Sequence, residues 1–483
     1  MLFNSLEFAI FLPLVFTIYW TIKNNNRLRN TVILIASYIF YGWWDVQFLI
    51  LIALSTLVDY TMAILIEGEQ SDKVKKIKLG ISISVNLCLL AYFKYCNFFI
   101  ENIAYAFTLF GSPIQFRGLN IVLPVGISFY TFQTMSYSID VYRGKISASK
   151  DLIGFAAFVS FFPQLVAGPI EKAGDFLPQF FKNKKFDYIE ARRGVNQILW
   201  GFFKKIVVAD QAAKFVELVF NDSANYDIWA HWWCIMLFAI QIYSDFSGYS
   251  DIAIGTGRLF GFTLKQNFAY PYFSRTVAEF WRRWHISLSS WFQSYVYLPL
   301  GGSQGTLKAT IRNVMIVFLL SGLWHGSNWN FIIWGALNAL YFIPLLILKQ
   351  NRKYSALIVA HDRYLPTFIE ILQITLTFLL ISISWVFFRT STVEESILYL
   401  NGLRGVHGGQ FTWYSASGFP SYIMAILIGV LFIVEWRGRR GSFALDGLEL
   451  KKNHFEFIIR TIVISLILTF MFTGEAEFIY FQF

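Results

Sequence analysis

Charge is scarce in this chain. Asp, Glu, Lys and Arg make up 14% of its 483 residues, against 56% hydrophobic and 19% aromatic, and the mean hydropathy is +0.51. That little charge excludes a soluble globule, and no polar stretch is long enough to fold as a separate domain. Cysteine is scarcer still. Cys88, Cys96 and Cys234 are odd in number and set in apolar sequence, which argues against a disulfide framework and a Cys-rich metal site. Internal repeats and low-complexity tracts are absent. Acidic residues are outnumbered by basic ones, 30 to 40, but the Lys and Arg sit in short clusters between apolar runs. That is the pattern of cytoplasmic loops, and it argues against a nucleic-acid surface. What remains is an all-α polytopic membrane protein, a single integral domain over residues 1–483. Its apolar runs allow about 11–13 transmembrane or re-entrant helices, plus interfacial helices.

The first apolar run, Leu6 to Ile22, lacks a basic n-region and a small-residue cleavage site, so it reads as a retained helix. Lys23, Arg27 and Arg29 after it, and Lys73 to Lys78 later, place those loops in the cytoplasm and the N-terminus outside. In LPVGISFYTFQTMSYSID, Pro124 and Gly126 predict a broken or re-entrant start. Tyr130, Gln133, Tyr137 and Asp140 then share one helical face, either as an interfacial aromatic belt or as a wall of a reaction chamber. Residues 172–205 form the longest polar stretch, with Arg192, Arg193, Lys204 and Lys205. It is expected to be cytoplasmic, as a solvated face or as a landing place for an anionic donor. In IYSDFSGYSDIAIGTG, Ser244, Ser247, Gly248 and Asp251 mark a face beside Asp245. Two carboxylates in lipid call for partners, either as helix-packing groups or as orienters of a histidine. GTGRLFG lacks the dinucleotide-binding spacing, so no cofactor is assigned.

The stretch from Ala278 to Asn338 holds two of the six histidines. In AEFWRRWHISLSSWF, Trp281, Trp284, His285, Leu288 and Phe292 form a stripe, with Arg282 and Ser289 off it, which suits a helix at the cytoplasmic membrane surface. Further on, Ser321, Trp324, His325 and Asn328 fall at i, i+3, i+4 and i+7, a polar stripe on an apolar cylinder. Gly322 and Gly326 leave room for a substrate or another backbone, and Asn338 lies on the next span. An intramembrane histidine is a functional-site candidate, and its plain alternative is a bond to a neighbouring helix. His231, His361, His407 and His454 lie in or beside loop-like polar stretches and are given no role.

WRRWHISLSSWF followed by SGLWHG resembles the membrane-bound O-acyltransferases, in particular the alginate O-acetyltransferase membrane-subunit type. The resemblance also covers FYGWWDVQFLILIALSTLVDY, LPVGISFYTFQTMSYSIDVYRGKI, FFPQLVAGPIEKAGDFLPQ, IYSDFSGYSDIAIGTGRLFGF and the terminal FIYFQF. It implies that His325 is a catalytic base, with His285 near it, for acyl transfer from a cytoplasmic thioester to a hydroxyl. Acetyl-CoA is the implied donor, and no bound cofactor or metal is called for. It also implies a fold built around a central chamber, for which the candidates are Trp324, Gly326, Asn328, Asn338, Asp245, Ser247, Asp251, Tyr130, Gln133, Tyr137 and Tyr480. Trp281, Arg282 and Arg283 are assigned to the donor entrance. The implied partners are membrane lipid, an exported polysaccharide or cell-wall polymer, and a secreted acetyltransferase, with a multi-pass location in a bacterial inner membrane. D-alanyl transfer to a cell-wall polymer, and a polysaccharide or lipid transporter, stand as alternatives. The aromatic tail reads as an interface anchor or as a place where Tyr480 meets the acceptor.

Overall fold

A computed structural model of the chain describes residues 1–111, 118–166, 168–355, 358–406, 420–446, 453–471 and 479. The described residues are mostly helical and contain no strand. Six helices among them are long and apolar enough to cross a membrane: Phe48–Glu67, Asp72–Leu109, Leu307–His325, Trp329–Ile347, Phe368–Arg389 and Ser421–Gly438. Leu6–Thr21, Leu152–Leu165 and Phe457–Phe470 are shorter apolar helices. The all-α polytopic class holds. The chain divides into two compact units, Met1–Ala191 with Thr256–Lys265, and Arg192–Gly255 with Gln266–Phe483.

In the first unit, apolar helices are tied together by a buried polar node. Asp59 on Phe48–Glu67 accepts hydrogen bonds from Ser82 Oγ, from Asn86 Nδ2 at 2.7 Å and from Ser138 Oγ at 2.7 Å. Ser55 Oγ adds a bond to Asn86 Oδ1 at 2.8 Å. Three helices thus share one carboxylate, in a setting where an unmet polar group is costly. Asp59→Ala would strand three buried donors at about 1–3 kcal/mol each, whereas Ser138→Ala removes one bond worth about 1 kcal/mol. The expected result in heat-step size-exclusion profiles is a clearly lower melting point for Asp59→Ala than for Ser138→Ala; equal profiles would remove the node from the stability account.

The predicted break before Ile127–Tyr142 is present. Gly126 has φ +76°, and a Cβ there would lie 2.7 Å from the Leu165 carbonyl oxygen. Along this helix Gln133 donates to Phe158 O at 3.0 Å and accepts from Gln164 at 3.1 Å. Tyr137 OH accepts from the Ser149 N–H at 2.8 Å, and Tyr130 is buried.

In the second unit, Gly201 and Gly248 bring two backbones together. A Cβ on Gly201 would sit 2.6 Å from Gly248 O, one on Gly248 2.8 Å from Gly201 O, and one on Gly255 2.5 Å from Gly194 O. The glycines on each helix are seven residues apart, so the contact repeats after two turns. A π-helical turn, Phe203–Ala209, follows and carries two lysines inward. Lys204 pairs with Asp251 at 2.6 Å and donates to Ser247 Oγ at 2.8 Å. Lys205 lies between Asp210 at 2.8 Å and Asp245 at 2.9 Å. The expectation of a solvated basic face at Lys204 and Lys205 is therefore corrected, because both are buried against carboxylates. His231, expected in or beside a loop, instead lies in the Ile228–Leu259 helix, buried, with Nε2 2.8 Å from Ser223 Oγ.

Candidate functional site

Leu307–His325 begins at a Thr306 cap, whose side chain accepts from Ala309 N–H, and ends where Gly326 turns extended. Trp329–Ile347 begins at Asn328, whose side chain accepts from Asn330 N–H. The two helices meet through glycine: a Cβ on Gly322 would lie 2.2 Å from Phe331 O, and one on Gly335 2.4 Å from Phe318 O. His325 is thus the last residue of a helix whose backbone is pressed against its neighbour. Its ring packs against Trp324, Trp334 and Phe388, at centroid separations of 4.9, 5.1 and 5.1 Å.

The predicted stripe is corrected at one end. Because the helix stops at His325, Asn328 is not on its face; it caps the next helix and also donates to the Ser391 carbonyl. The space beside Gly326 is filled by the Phe331 ring, 2.1 Å from where a Cβ would be. Asn338 is buried and donates to the Trp334 carbonyl at 2.8 Å.

The segment around His285 is likewise not one helix. Val277–Arg283 and Ile286–Phe292 are separate, and His285 between them has φ 43° and ψ 56°. The chain from Asn267 to Ala269 runs alongside the break. Ile286 N–H donates to Asn267 O at 2.9 Å, and Ala269 N–H to Arg283 O at 3.0 Å. These bonds replace the helical ones that periodicity predicts, since a backbone group inside the protein must be met somewhere.

The break turns His285 into the same cavity as His325. An open cavity of about 530 Å³ is lined by both histidines together with Trp281, Arg282, Trp284, Leu288, Ser289 and Ser321. Val314, Val317, Phe318, Phe342 and Leu346 form an apolar wall. Arg352, Ser355 and Gln293, also lining residues, are exposed, whereas His285, His325 and Trp284 are buried. The cavity therefore runs from a polar, basic rim to an imidazole floor. Its size suits a small organic ligand.

Burial pushes the His285 pKa down to about 3, so the ring is neutral near pH 7. Arg282 lines the cavity and donates to the Asn351 carbonyl at 2.7 Å. Arg283 is bound to Glu279 at 3.0 Å and to the Ala269 carbonyl at 3.2 Å, so its guanidinium is committed away from the donor entrance assigned to it. Trp324 is buried against His285, at 5.8 Å between centroids.

Asp245, Ser247 and Asp251 gather lysines. Ser247 and Asp251 line a separate polar void of about 20 Å³ with Lys204 and Glu435, room for about one water molecule. Tyr130, Gln133 and Tyr137 belong to the first unit, where their contacts are those described above. Tyr480 lies outside the described residues; beside it, Ile479 N–H donates to Asp245 Oδ2 at 2.7 Å. Sequence reasoning missed Asn267, Arg352 and Ser355. Each is a common polar residue whose role comes only from what folding places next to it.

A family model described as the membrane-bound O-acyltransferase family matches residues 35–390. A protein of Azotobacter vinelandii named "Probable alginate O-acetylase AlgI" is 39% identical over 399 residues, 82% of this chain and 76% of that protein. One of the same name from Pseudomonas putida is 34% identical over 508 residues, covering 100% of both. The peptidoglycan O-acetyltransferase of Helicobacter pylori is 35% identical over 439 residues, 84% of this chain and 80% of that enzyme.

Proposed function

Since the chain belongs to the membrane-bound O-acyltransferase family, we propose that it transfers an acetyl group from cytoplasmic acetyl-CoA to a hydroxyl on the far side of a bacterial inner membrane. The acceptor is an exported polysaccharide or cell-wall polymer, reached directly or through a secreted partner enzyme. The relatives' names, alginate O-acetylase and peptidoglycan O-acetyltransferase, support that acceptor class. The observation that carries the reading is one cavity with two imidazoles at its buried end and arginines at its rim.

A hydroxyl is a weak nucleophile near pH 7 and needs a base within hydrogen-bond reach. In this reading His325 takes the hydroxyl proton as the oxygen attacks the thioester carbonyl. The carbon–sulfur bond breaks, and the imidazolium returns the proton to the departing thiolate. Protons balance, and the products are an ester and a thiol. Arg282 and Arg352 suit the phosphates of a nucleotide-bearing thioester, because charge-assisted bonds to phosphate are among the stronger ones.

The test is release of free thiol from acetyl-CoA by the purified protein, alongside mass spectrometry of exported glycans from cells with and without it. Arg282→Gln with Arg352→Gln should raise KM for acetyl-CoA about tenfold, the loss of about 1.4 kcal/mol of binding, while kcat changes by less than about twofold. Absence of thiol release together with unchanged glycan acetylation would overturn the reading and favour a transporter.

A further inference from the structure

Asn267 is buried in a loop ahead of the broken helix, 14 residues before the first histidine motif and outside both. Its side-chain oxygen is the meeting point of three groups: His285 Nδ1 at 3.0 Å, Ser287 Oγ at 2.9 Å and Ser287 N–H at 3.4 Å. Its side-chain nitrogen donates to Ser250 Oγ at 3.2 Å. A backbone N–H only donates, so the atom it meets must be the amide oxygen, and a flipped amide would set N–H against N–H. An amide oxygen only accepts. The imidazole nitrogen facing it must then carry the proton.

We infer that Asn267 is a positioning residue that locks His285 in the Nδ1–H tautomer, so that its lone pair lies on Nε2, the ring nitrogen turned away from Asn267. For the acyl transfer proposed above, on which this inference rests, the tautomer decides what His285 does. With the lone pair on Nε2 it accepts a hydrogen bond, or a proton, from an O–H or S–H group in the cavity. It cannot donate to the thioester carbonyl. Which nitrogen of a histidine is available is set by the bond that the other one makes. Here the second bond is doubly fixed. The Asn267 carbonyl also accepts the Ile286 N–H at 2.9 Å, so the amide and the ring it orients are fastened to the same backbone. The Phe246 ring, 4.8 Å from the imidazole at 88°, closes another side. Asn267 does not line the cavity itself, so it acts through His285.

The tautomer is read directly by ¹⁵N NMR on full-length, histidine-labelled protein in lipid, with the His285 signals assigned by their absence in His285→Gln. The expected spectrum shows a protonated Nδ1 and an unprotonated Nε2 for His285. In Asn267→Leu the two forms should mix. A protonated Nε2 in the wild-type protein would overturn the inference. Kinetics give a second reading. Asn267→Leu should lower kcat for thiol release from acetyl-CoA about 10- to 100-fold, as loss of an orienting partner does elsewhere, with KM within about twofold.

Asn267→Asp keeps an acceptor at Nδ1 and should recover most of kcat at alkaline pH. Its carboxylate raises the imidazole pKa, and below that raised pKa the ring is protonated and Nε2 no longer accepts. The variant should therefore lose activity on the acid side at a pH where wild-type protein keeps it. An Asn267→Leu protein that folds and matches wild-type kcat would also overturn the inference. If wild-type protein releases no thiol, the functional reading fails, and the NMR spectrum still decides the tautomer.

Discussion

Replacing His325 with alanine is expected to abolish acetyl transfer while leaving the protein in the membrane. A positioned base contributes about 10²–10⁴-fold, and among the described residues lining the cavity His285 is the one other neutral imidazole that could take a proton from a hydroxyl. The imidazole also packs among Trp324, Trp334 and Phe388, so the truncation costs some packing. His325→Gln, which keeps much of the volume but not the basicity, separates the two effects. Both variants should show less than about a hundredth of the wild-type rate in thiol release and in glycan acetylation. A His325→Gln protein of normal abundance that keeps even a tenth of that rate removes His325 from the role of base.

The largest effect on folding is expected at Lys205. Lys205→Met takes away the cation between Asp210 and Asp245, which stay buried. Breaking a buried pair from one side typically costs about 3–5 kcal/mol, a large part of a stability of about 5–15 kcal/mol. Monodisperse protein in mild detergent should nearly disappear. Lys205→Met combined with Asp210→Asn and Asp245→Asn should recover part of it, since neutral amides need no cation. Normal yield of the single variant would mean that the carboxylates find other compensation.

Much of this was legible in the chain itself. The histidines stand in short aromatic motifs, and the apolar runs around them are long enough to read as spans, so family, class and the two imidazoles follow from local sequence. The distant pairings were not legible. Lys204 and Lys205 look like a solvated basic pair because two of their partners, Asp245 and Asp251, are 40 or more residues away and the nearby Asp210 gives no sign of burial in the sequence. The break at His285 is hidden for the same reason: bonds from Asn267 and Ala269 replace helical ones, and no periodicity reports a neighbour brought in by folding. Asn328 was misplaced because a stripe was extended one turn past a helix that Gly326 ends. Tyr480, expected at the acceptor, lies outside the described residues.

The glycine seam also limits how this protein can work. At Gly201, Gly248 and Gly255, backbone oxygen atoms of the facing helix sit where any side chain would be. Sliding one helix by a single residue, about 1.5 Å, would bring a neighbour such as Trp200 or Ser247 against the opposite backbone. Alternating-access machines need surfaces that tolerate such sliding or rocking. A seam of this kind behaves like a keyed joint, with one register and no travel, so the part of the molecule it holds is an anvil and not a piston. Whatever moves during a reaction cycle must therefore lie outside that joint.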